Sequence, residues 1–244
     1  MRRASSEKSR RMSSEITLHR MPEPKLCMIG LRLDCRGQGM SRLALDKLVC
    51  LAADSAIPSF DCGDPDLNEF LRDDAKKYLE QLFAVTYLVM ADVQLTAFFS
   101  LSNDKLTCVP DDDGSKKLWN RIQRRIPNEK RRQSYPAVKI GRLGVCSEMQ
   151  GSGLGQEILD WLKILFLTEN RTGCRFITVD AYNNERTIAF YEQNEFRFLT
   201  SSDEDEDTRQ MYFDLKPFAD LMQQTGQGAA GEIKTGDRIS RGHN

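Results

Sequence analysis

The sequence lacks residues that several large classes of catalytic site require. It has only two histidines, His19 and His243, and both lie in flanking segments that we expect to be outside the folded domain. A Ser-His-Asp or Cys-His apparatus, a histidine general base and a histidine-containing zinc site are therefore not expected. The seven cysteines include no C-x-x-C pair, which indicates reduced thiols of a cytoplasmic protein and neither a disulfide framework nor a metal site.

Long apolar runs and a large net charge are also missing. No run approaches the roughly 20 apolar residues of a membrane span, so no membrane association is predicted. The formal net charge of −1 argues against a nucleic-acid footprint over the whole chain. Residues 116–142, however, carry ten basic side chains against one acidic residue, whereas 203–207 are all acidic. A polyanionic partner would therefore use a local patch.

The residue pattern divides the chain into three parts. Residues 1–39 are rich in arginine and serine and lack hydrophobic periodicity, so a disordered basic extension is predicted. Residues 40–216 alternate between strand and helix periods, which predicts a single α/β domain with a mixed sheet flanked by helices. Residues 217–244 are predicted to form a short helix and a flexible, glycine-containing tail.

Several elements of the domain can be predicted from local patterns. Asp64 and Pro65 are typical of a helix start, and the helix that follows is predicted to have one apolar stripe that ends near Leu82. The other predicted elements are a strand over 45–51, a hairpin of 84–90 with 94–102, a basic helix over 116–126, strands over 138–146 and 176–181, helices over 154–168 and 184–193, and a strand pair of 196–199 with 211–215.

A glycine-rich turn lies between a predicted strand and a predicted helix. Glycine permits positive φ and close approach of backbone N–H groups, and the helix N-terminus adds positive charge, so the turn is a candidate phosphate site. Gln156 stands where a dinucleotide fingerprint needs a third glycine, and no G-K-[ST] follows, so neither of those nucleotide sites is predicted. A tight turn without a ligand is the alternative. The turn consists of Gln150, Gly151, Ser152, Gly153, Leu154 and Gly155.

The turn and its flanks resemble the GNAT superfamily of N-acetyltransferases. Residues 150–155 are similar to its Q/R-x-x-G-x-G/A pyrophosphate loop, and 142–145 are similar to the strand before that loop. Residues 179–184 and 190–196 are similar to its fifth strand and the following helix. The resemblance covers residues 43–215 and implies one GNAT-like domain whose mixed, mostly antiparallel sheet is splayed between strands four and five.

The resemblance also implies a co-substrate, acetyl-coenzyme A, and a catalytic acid. Tyr191 occupies the position of the family's tyrosine, and a phenol with a pKa of about 10 suits protonation of a thiolate whose pKa is about 8.5. Aromatic packing is the alternative role. Asn183 or Asn184 would bind the coenzyme arm or cap the following helix. The pyrophosphate would lie at residues 150–155, and the pantetheine arm would pair with the backbone of Leu143, Gly144 and Val145.

Two residues depart from the family's pattern, and two others offer alternative chemistry. Glu195 stands where the family usually has glycine, so we expect strain in the turn after the last helix; Thr187 replaces the usual alanine. Glu148 is a candidate water-mediated proton relay or a solvated residue. Cys146 is less favoured as an acetyl carrier because no histidine or cation adjoins it in sequence.

A second segment, residues 60–71, resembles the F-x-C-G-x-x-x-L-N-x-F-L segment of a GNAT subgroup, the bacterial toxins that acetylate aminoacyl-tRNA. This resemblance implies the α-amine of aminoacyl-tRNA as acceptor and a cognate antitoxin as partner, and it leaves a homodimer open. The basic residues would bind phosphate irrespective of base sequence or, alternatively, form a solvated helix face. They are Lys116, Lys117, Arg121, Arg124, Arg125, Lys130, Arg131 and Arg132.

We therefore predict a cytoplasmic, metal-independent N-acetyltransferase that moves acetyl directly from acetyl-coenzyme A to a primary amine, with aminoacyl-tRNA preferred. One alternative is an acetyltransferase for a small-molecule or protein amine that does not bind tRNA. Another is a non-catalytic module that binds coenzyme A or RNA, because a fold alone does not establish activity. The acidic run 203–207 is expected to be a disordered hairpin loop, with attraction of a cationic amine as its alternative role.

Overall fold

The sheet has seven strands in the order β1-β2-β3-β4-β5-β7-β6. The structure is a computed structural model that describes residues 48–109, 112–124, 126–170 and 173–222. The predicted extension 1–39, most of the predicted tail and Arg125 lie outside the described residues. The strands are β1 (Leu48–Cys50), β2 (Val85–Ala91), β3 (Gln94–Thr107), β4 (Ser134–Val145), β5 (Phe176–Tyr182), β6 (Arg197–Phe198) and β7 (Thr208–Asp214).

Three of the helices begin where a side chain accepts from a free backbone N–H group. The Asp64 carboxylate accepts from the Leu67 N–H at 3.2 Å, and Pro65 follows as the first helical residue, as predicted. Asp112 and Asn184 cap two later helices in the same way. The helices are α1 (Pro65–Glu69), α2 (Ala75–Glu80), α3 (Asp113–Gln123), α4 (Leu154–Thr168) and α5 (Glu185–Gln193), with a π-helical turn (Phe70–Asp74) between α1 and α2 and a last helical segment over 215–222.

The strand pairs are antiparallel except for β4 with β5, which confirms the predicted mixed, mostly antiparallel sheet. β3 and β4 pair along almost their whole length, from Ala97 with Val145 to Thr107 with Ser134. The parallel pairing of β4 with β5 is short and ends at Ile140 with Val179. Beyond that point β4 and β5 are not hydrogen-bonded, so the sheet is open there.

Three apolar clusters cover the two faces of the sheet. The largest joins α4 and α5 to one face and includes Ile140 and Val179. On the other face, α3 packs through Leu118, Trp119 and Ile122 over one half of the sheet. The helices α1 and α2, with the π turn, cover the other half of that face, and their cluster is separate from that of α3. The second face therefore has an uncovered strip between two helical layers.

Two local predictions differ from the structure. The apolar stripe does not extend to Leu82, which lies beyond the end of α2 with φ of +60° and 90% exposure. The π turn widens the helix and shifts the phase of the residues after it, and Tyr78 is also largely exposed. The acidic run is an ordered turn and not a disordered loop, because the Asn183 side chain donates to two of its backbone carbonyls and the Asp203 carboxylate pairs with Arg209.

Candidate active site

The opening between β4 and β5 follows from a β-bulge in β4. Ser100 of β3 faces Arg142, but the next residue, Leu101, faces Ile140, so Gly141 is an extra residue in β4. A bulge bends the strand that carries it. The bulge lies immediately after Ile140, the last residue of β4 that pairs with β5, so the two strands separate from this point onward.

The separated strands enclose a cavity of about 1140 Å³. β4 and β5 form its walls, the start of α1 and the turn 149–153 lie at its edges, and α5 closes one side. Of the residues predicted to bind the coenzyme, Asn183 and Ser152 are not among those that line it. The predicted residues that do line it are Leu143, Gly144, Val145, Gln150, Gly151, Gly153, Leu154, Gly155, Asn184 and Tyr191.

The free edge of β4 presents alternate residues to the cavity. Cys146 donates its N–H to Thr96 of β3 at 2.8 Å, so in an antiparallel ladder the backbone groups of Gly144 also point toward β3. The backbone groups of Leu143 and Val145 then point toward the gap. The Val145 carbonyl accepts from the Gln150 side chain at 3.1 Å, which agrees with this direction. The backbone groups of two of the three predicted residues thus face the cavity, whereas those of Gly144, which also borders it, point toward β3.

The glycine-rich turn leaves backbone donors open at the N-terminus of α4. Gly151 and Gly153 have φ of +78° and +92°, a region that favours glycine, and a Cβ on either residue would meet nothing within 4 Å. Within the described residues, no hydrogen-bond partner is seen for their N–H groups. Gly155 lets α4 approach α5, since a Cβ there would lie 3.2 Å from the Phe190 ring. Open donors at a helix N-terminus suit an anionic group.

The segment 60–71 braces this turn from the opposite side. The Asn68 side chain accepts from the Cys62 N–H at 3.0 Å and donates to the Asp61 carboxylate at 2.7 Å. The carbonyl of Cys62 then accepts from the Gln150 side chain at 2.8 Å. The Asp61 carbonyl accepts from the Ser147 N–H at 2.9 Å. The cysteine and asparagine of the segment therefore hold the loop that leads into α4.

Tyr191 lies on the α4–α5 side of the cavity and is only 6% exposed. Its ring packs edge-on against Phe190 and Phe196, with centroid distances of 5.1 and 5.3 Å. Burial raises the pKa of its hydroxyl above the ordinary value of 10.0. No hydrogen bond joins this hydroxyl to another described residue. The side chain is thus held by packing, and its hydroxyl remains protonated and free to donate at neutral pH.

The two asparagines after β5 have structural partners. Asn183 donates its side-chain amide to the carbonyls of Glu204 and Glu206 at 2.9 and 2.8 Å, so it fixes the acidic turn. Asn184 accepts from the Thr187 N–H at 2.9 Å and is the cap of α5, the alternative that the sequence left open. Its side chain still borders the cavity. Glu195 has φ of +67°, which agrees with the expected strain after α5.

The described members of the predicted tRNA-binding set form an exposed surface around α3. Arg121 is 3.3 Å from the Asp214 carboxylate, and Lys116 is 3.8 Å from Asp113, so part of their charge is already paired. Arg131 donates to the Ile126 carbonyl. The remaining described members, Lys117, Arg124, Lys130 and Arg132, have no ion-pair partner within the described part of the chain.

The two alternative catalytic residues lie outside the cavity lining. Glu148 is exposed and accepts from the Gln94 side chain at 3.3 Å, as expected for a solvated residue. Cys146 is buried at the end of β4. In the described ranges, no helix is long and apolar enough to span a membrane, and no group of three or more metal-ligating side chains is found.

Sequence reasoning did not single out several polar residues that border the cavity. Arg186 donates to the Gln150 side chain at 2.8 Å beside the open turn. A cation in the first turn of a helix interacts unfavourably with the helix dipole, so Arg186 could have been singled out from the sequence as a candidate anion-binding residue. Asp66 accepts from the Tyr182 hydroxyl at 3.0 Å and lies 3.6 Å from the Arg142 side chain. Residues 66 and 182 are far apart in sequence, so no local pattern could pair them.

Comparison with known proteins finds a family match over the core of this site. The model of the acetyltransferase (GNAT) family matches residues 106–196. Among solved structures, the chain is similar to AtaT complexed with acetyl-methionyl-tRNAfMet, with 21% identity, a TM-score of 0.58, and coverage of 72% of this chain and 98% of that one. It is also similar to AtaTR bound with AcCoA, with 21% identity, a TM-score of 0.54, and coverage of 72% and 96%.

A mutant of KacT is similar at 23% identity, with a TM-score of 0.53 and coverage of 71% of this chain and 98% of that one. These identities establish the fold, and the family match spans β4, the open turn and Tyr191. The chain accordingly has the GNAT fold, and the match to the GNAT acetyltransferase family model lies across its cavity, in agreement with the resemblance to this superfamily.

Proposed function

We propose that the chain transfers acetyl from acetyl-CoA directly to the α-amine of aminoacyl-tRNA. The observation that carries this proposal is one cavity through the sheet, with a buried tyrosine on the α4–α5 side and the basic surface of α3 on the other face. The similarity of this chain to AtaT, whose structure contains acetyl-methionyl-tRNAfMet, supports the choice of acceptor.

The residues that line the cavity fit acetyl-CoA. The open N–H groups of Gly151 and Gly153 and the nearby Arg186 would hold the pyrophosphate, and glycine leaves that space unfilled. The backbone groups of Leu143 and Val145 that face the gap would pair with the pantetheine amides. Bound acetyl-CoA would supply an activated acetyl thioester.

Tyr191 serves as the general acid in this proposal. Because burial raises the pKa of its hydroxyl, the residue holds its proton throughout the neutral range. The hydroxyl then donates that proton to the sulfur as the thiolate departs. The α-amine of an amino acid has a reference pKa of about 7.7–8.0, so a substantial fraction is neutral near pH 7 and needs no strong protein base.

The basic surface would hold the tRNA backbone while its 3′ end reaches the cavity. Such contacts neutralise phosphates irrespective of base sequence and weaken steeply with salt. AtaT and KacT structures also include complexes with the antitoxin AtaR and with DNA, so a cognate antitoxin belongs to the proposal as well. A homodimer, which the sequence leaves open, is not part of the proposal.

The first test is coenzyme A release from acetyl-CoA in the presence of charged total tRNA, uncharged tRNA or free amino acids. Mass analysis of the aminoacyl adenosine would locate the acetyl group. Release and acetylation with charged tRNA alone are expected, and Tyr191→Phe should reduce the rate by about 100-fold or more. Release with free amines but not with charged tRNA would overturn the proposed acceptor. If coenzyme A is released with none of these acceptors, the proposed enzymatic transfer is wrong.

A charge-reversal variant tests the tRNA surface. Glutamate at Lys117, Arg124, Lys130 and Arg132 removes the cations that have no ion-pair partner among the described residues and leaves the Arg121–Asp214 pair intact. We expect a loss of at least tenfold in kcat/KM for charged tRNA and a shallower salt dependence. Reversal of Lys76 and Lys77 of α2, of which Lys77 pairs with Asp74, is the control for charge reversal away from α3. Equal rates for both variants would refute tRNA binding by this surface.

A further inference from the structure

The uncovered strip of the sheet leads to the cavity from the side opposite Tyr191. In β5, Ile177, Val179 and Ala181 belong to the α4–α5 cluster, so Asp180 and Tyr182 point to the other face. On that face the α3 cluster and the α1–α2 cluster are separate. Polar, partly exposed side chains occupy the space between them, including the Lys139–Asp180 ion pair.

Asp66 bridges the separated strands at this strip. Its carboxylate oxygen Oδ2 accepts from the Tyr182 hydroxyl at 3.0 Å and lies 3.6 Å from Nε of Arg142. Tyr182 follows the separation on β5, and Arg142 follows the bulge on β4. The other carboxylate oxygen, Oδ1, has no hydrogen-bond partner among the described residues. Asp66, a cavity-lining residue whose side chain is 60% exposed, is therefore held through one oxygen, and its second oxygen stays open to an incoming group.

Tyr182 acts as the hydrogen-bond donor to the Asp66 carboxylate. Burial and the neighbouring Asp66 raise the pKa of Tyr182 to about 12, so its hydroxyl stays protonated and donates to the carboxylate. Arg142 is positioned in turn by its stacking over Phe70, at 5.2 Å from the ring centroid. Both neighbours of Oδ2 thus lie on strands of the sheet, and Oδ1 is the carboxylate oxygen that remains available to an incoming group.

We propose that the acceptor amine enters through this strip and that Asp66 binds its nitrogen during transfer. This inference rests on the proposed acetyl transfer but not on the identity of the acceptor. As the nitrogen attacks the thioester carbonyl carbon, a C–N bond forms and positive charge develops on nitrogen. The C–S bond then breaks, the electron pair leaves with sulfur, and Tyr191 supplies the proton there.

The proton released by nitrogen passes to Asp66 Oδ1 and from there to water. Asp66 and Tyr191 lie on opposite sides of the sheet, so they approach the nitrogen and the sulfur, which are bonded to the same carbon, from opposite sides. The arrangement also suits the charge of an aminoacyl-tRNA end. The anionic backbone would contact the basic surface of α3, while the amine, on which positive charge develops during attack, would reach a carboxylate.

The test compares Asp66→Asn with Asp104→Asn. Asparagine can still accept a hydrogen bond from the Tyr182 hydroxyl, so the fold should persist. Asp104 lies outside the cavity lining and, like Asp66, accepts a hydrogen bond from a hydroxyl, that of Thr178, at 2.5 Å. Asp104→Asn is therefore the same chemical change away from the cavity and serves as the control. Kinetics are measured with the acceptor that is acetylated in the assay with charged tRNA, uncharged tRNA and free amino acids. The Kd for acetyl-CoA and the melting temperature are measured as well.

Asp66→Asn is expected to lower kcat/KM for the acceptor by about 10- to 100-fold, the loss typical of a hydrogen bond to a charged group. The Kd for acetyl-CoA and the melting temperature should not change, whereas a purely structural role would move both. Rates within threefold of the Asp104→Asn control would overturn the role of Asp66. Turnover of a small amine in place of charged tRNA would overturn only the proposed acceptor, because Asp66 is still tested with that amine.

Discussion

Replacing Glu195 with glycine should stabilise the protein. Glu195 follows α5 with φ of +67°, a conformation that costs an L-residue about 1–2 kcal/mol. Its N–H donates to the Glu192 carbonyl, and the next N–H, of Phe196, donates to the Tyr191 carbonyl, at 2.9 and 3.0 Å. This pattern is a Schellman motif with Glu195 at the position where glycine is favoured.

The size of the effect follows from two opposing terms. Glycine relieves the backbone strain but adds conformational freedom to the unfolded chain, at a cost of about 0.5–1 kcal/mol. The Glu195 side chain is exposed and makes no hydrogen bond or ion pair with the described residues, so its loss costs little. We expect a net gain of about 0.5–1 kcal/mol, or roughly 1–4 °C in melting temperature for a domain of this size.

Thermal and urea unfolding of three variants test this reasoning. Glu195→Ala removes the same side chain but retains the strain, so it should leave stability nearly unchanged. Glu192→Gly places glycine three residues earlier, within α5, and should destabilise by about 1 kcal/mol. If Glu195→Gly destabilises the protein, or if Glu195→Ala stabilises it equally, backbone strain at this turn is not the cause. Acetyl transfer should not change, because the Phe196–Tyr191 hydrogen bond is retained.

Two further predictions concern packing and pH. In Gly144→Ala, the new Cβ would lie 2.7 Å from the fully buried Phe98 ring, so urea unfolding should show a loss of about 1–3 kcal/mol; an unchanged midpoint would contradict this overpacking. Hydrogen bonds from Ser115 and Ser201 lower the pKa of Asp112. Its contribution to stability is therefore complete above the unfolded pKa of about 3.9 and is lost as pH falls, so Asp112→Asn should flatten the decline between pH 5 and pH 3.

Local patterns predict those parts of the fold in which each element determines its own structure. The helix predicted over 154–168 has the same bounds in the structure because its apolar stripe is continuous. β3, in contrast, runs five residues beyond its predicted end, through Asn103, Asp104 and Lys105. These polar residues have no strand pattern of their own, and they are extended because β4 pairs with them.

The site is predictable to the extent that its residues belong to contiguous motifs. The open turn and Tyr191 were found because strand, turn and helix follow one another in sequence. The opening itself depends on the bulge at Gly141, which only the register between β3 and β4 reveals. Asp66 and Arg186 depend on contacts between distant elements, with Tyr182 and Gln150 respectively, so their positions could not be derived from local spacing.

Segment 60–71 shows how one stretch of sequence can serve two parts of a site. Cys62 and Asn68 bond to each other, and through the Cys62 carbonyl they hold the Gln150 side chain and the turn before α4. Asp66 lies between them in sequence but contacts the opposite edge of the cavity, through Tyr182 and Arg142. The cysteine and asparagine of the segment thus fix geometry on the phosphate side. Asp66, at a position that the motif leaves unspecified, lies on the side from which the proposed acceptor enters, so a change at Asp66 can alter the acceptor without disturbing the binding of the donor.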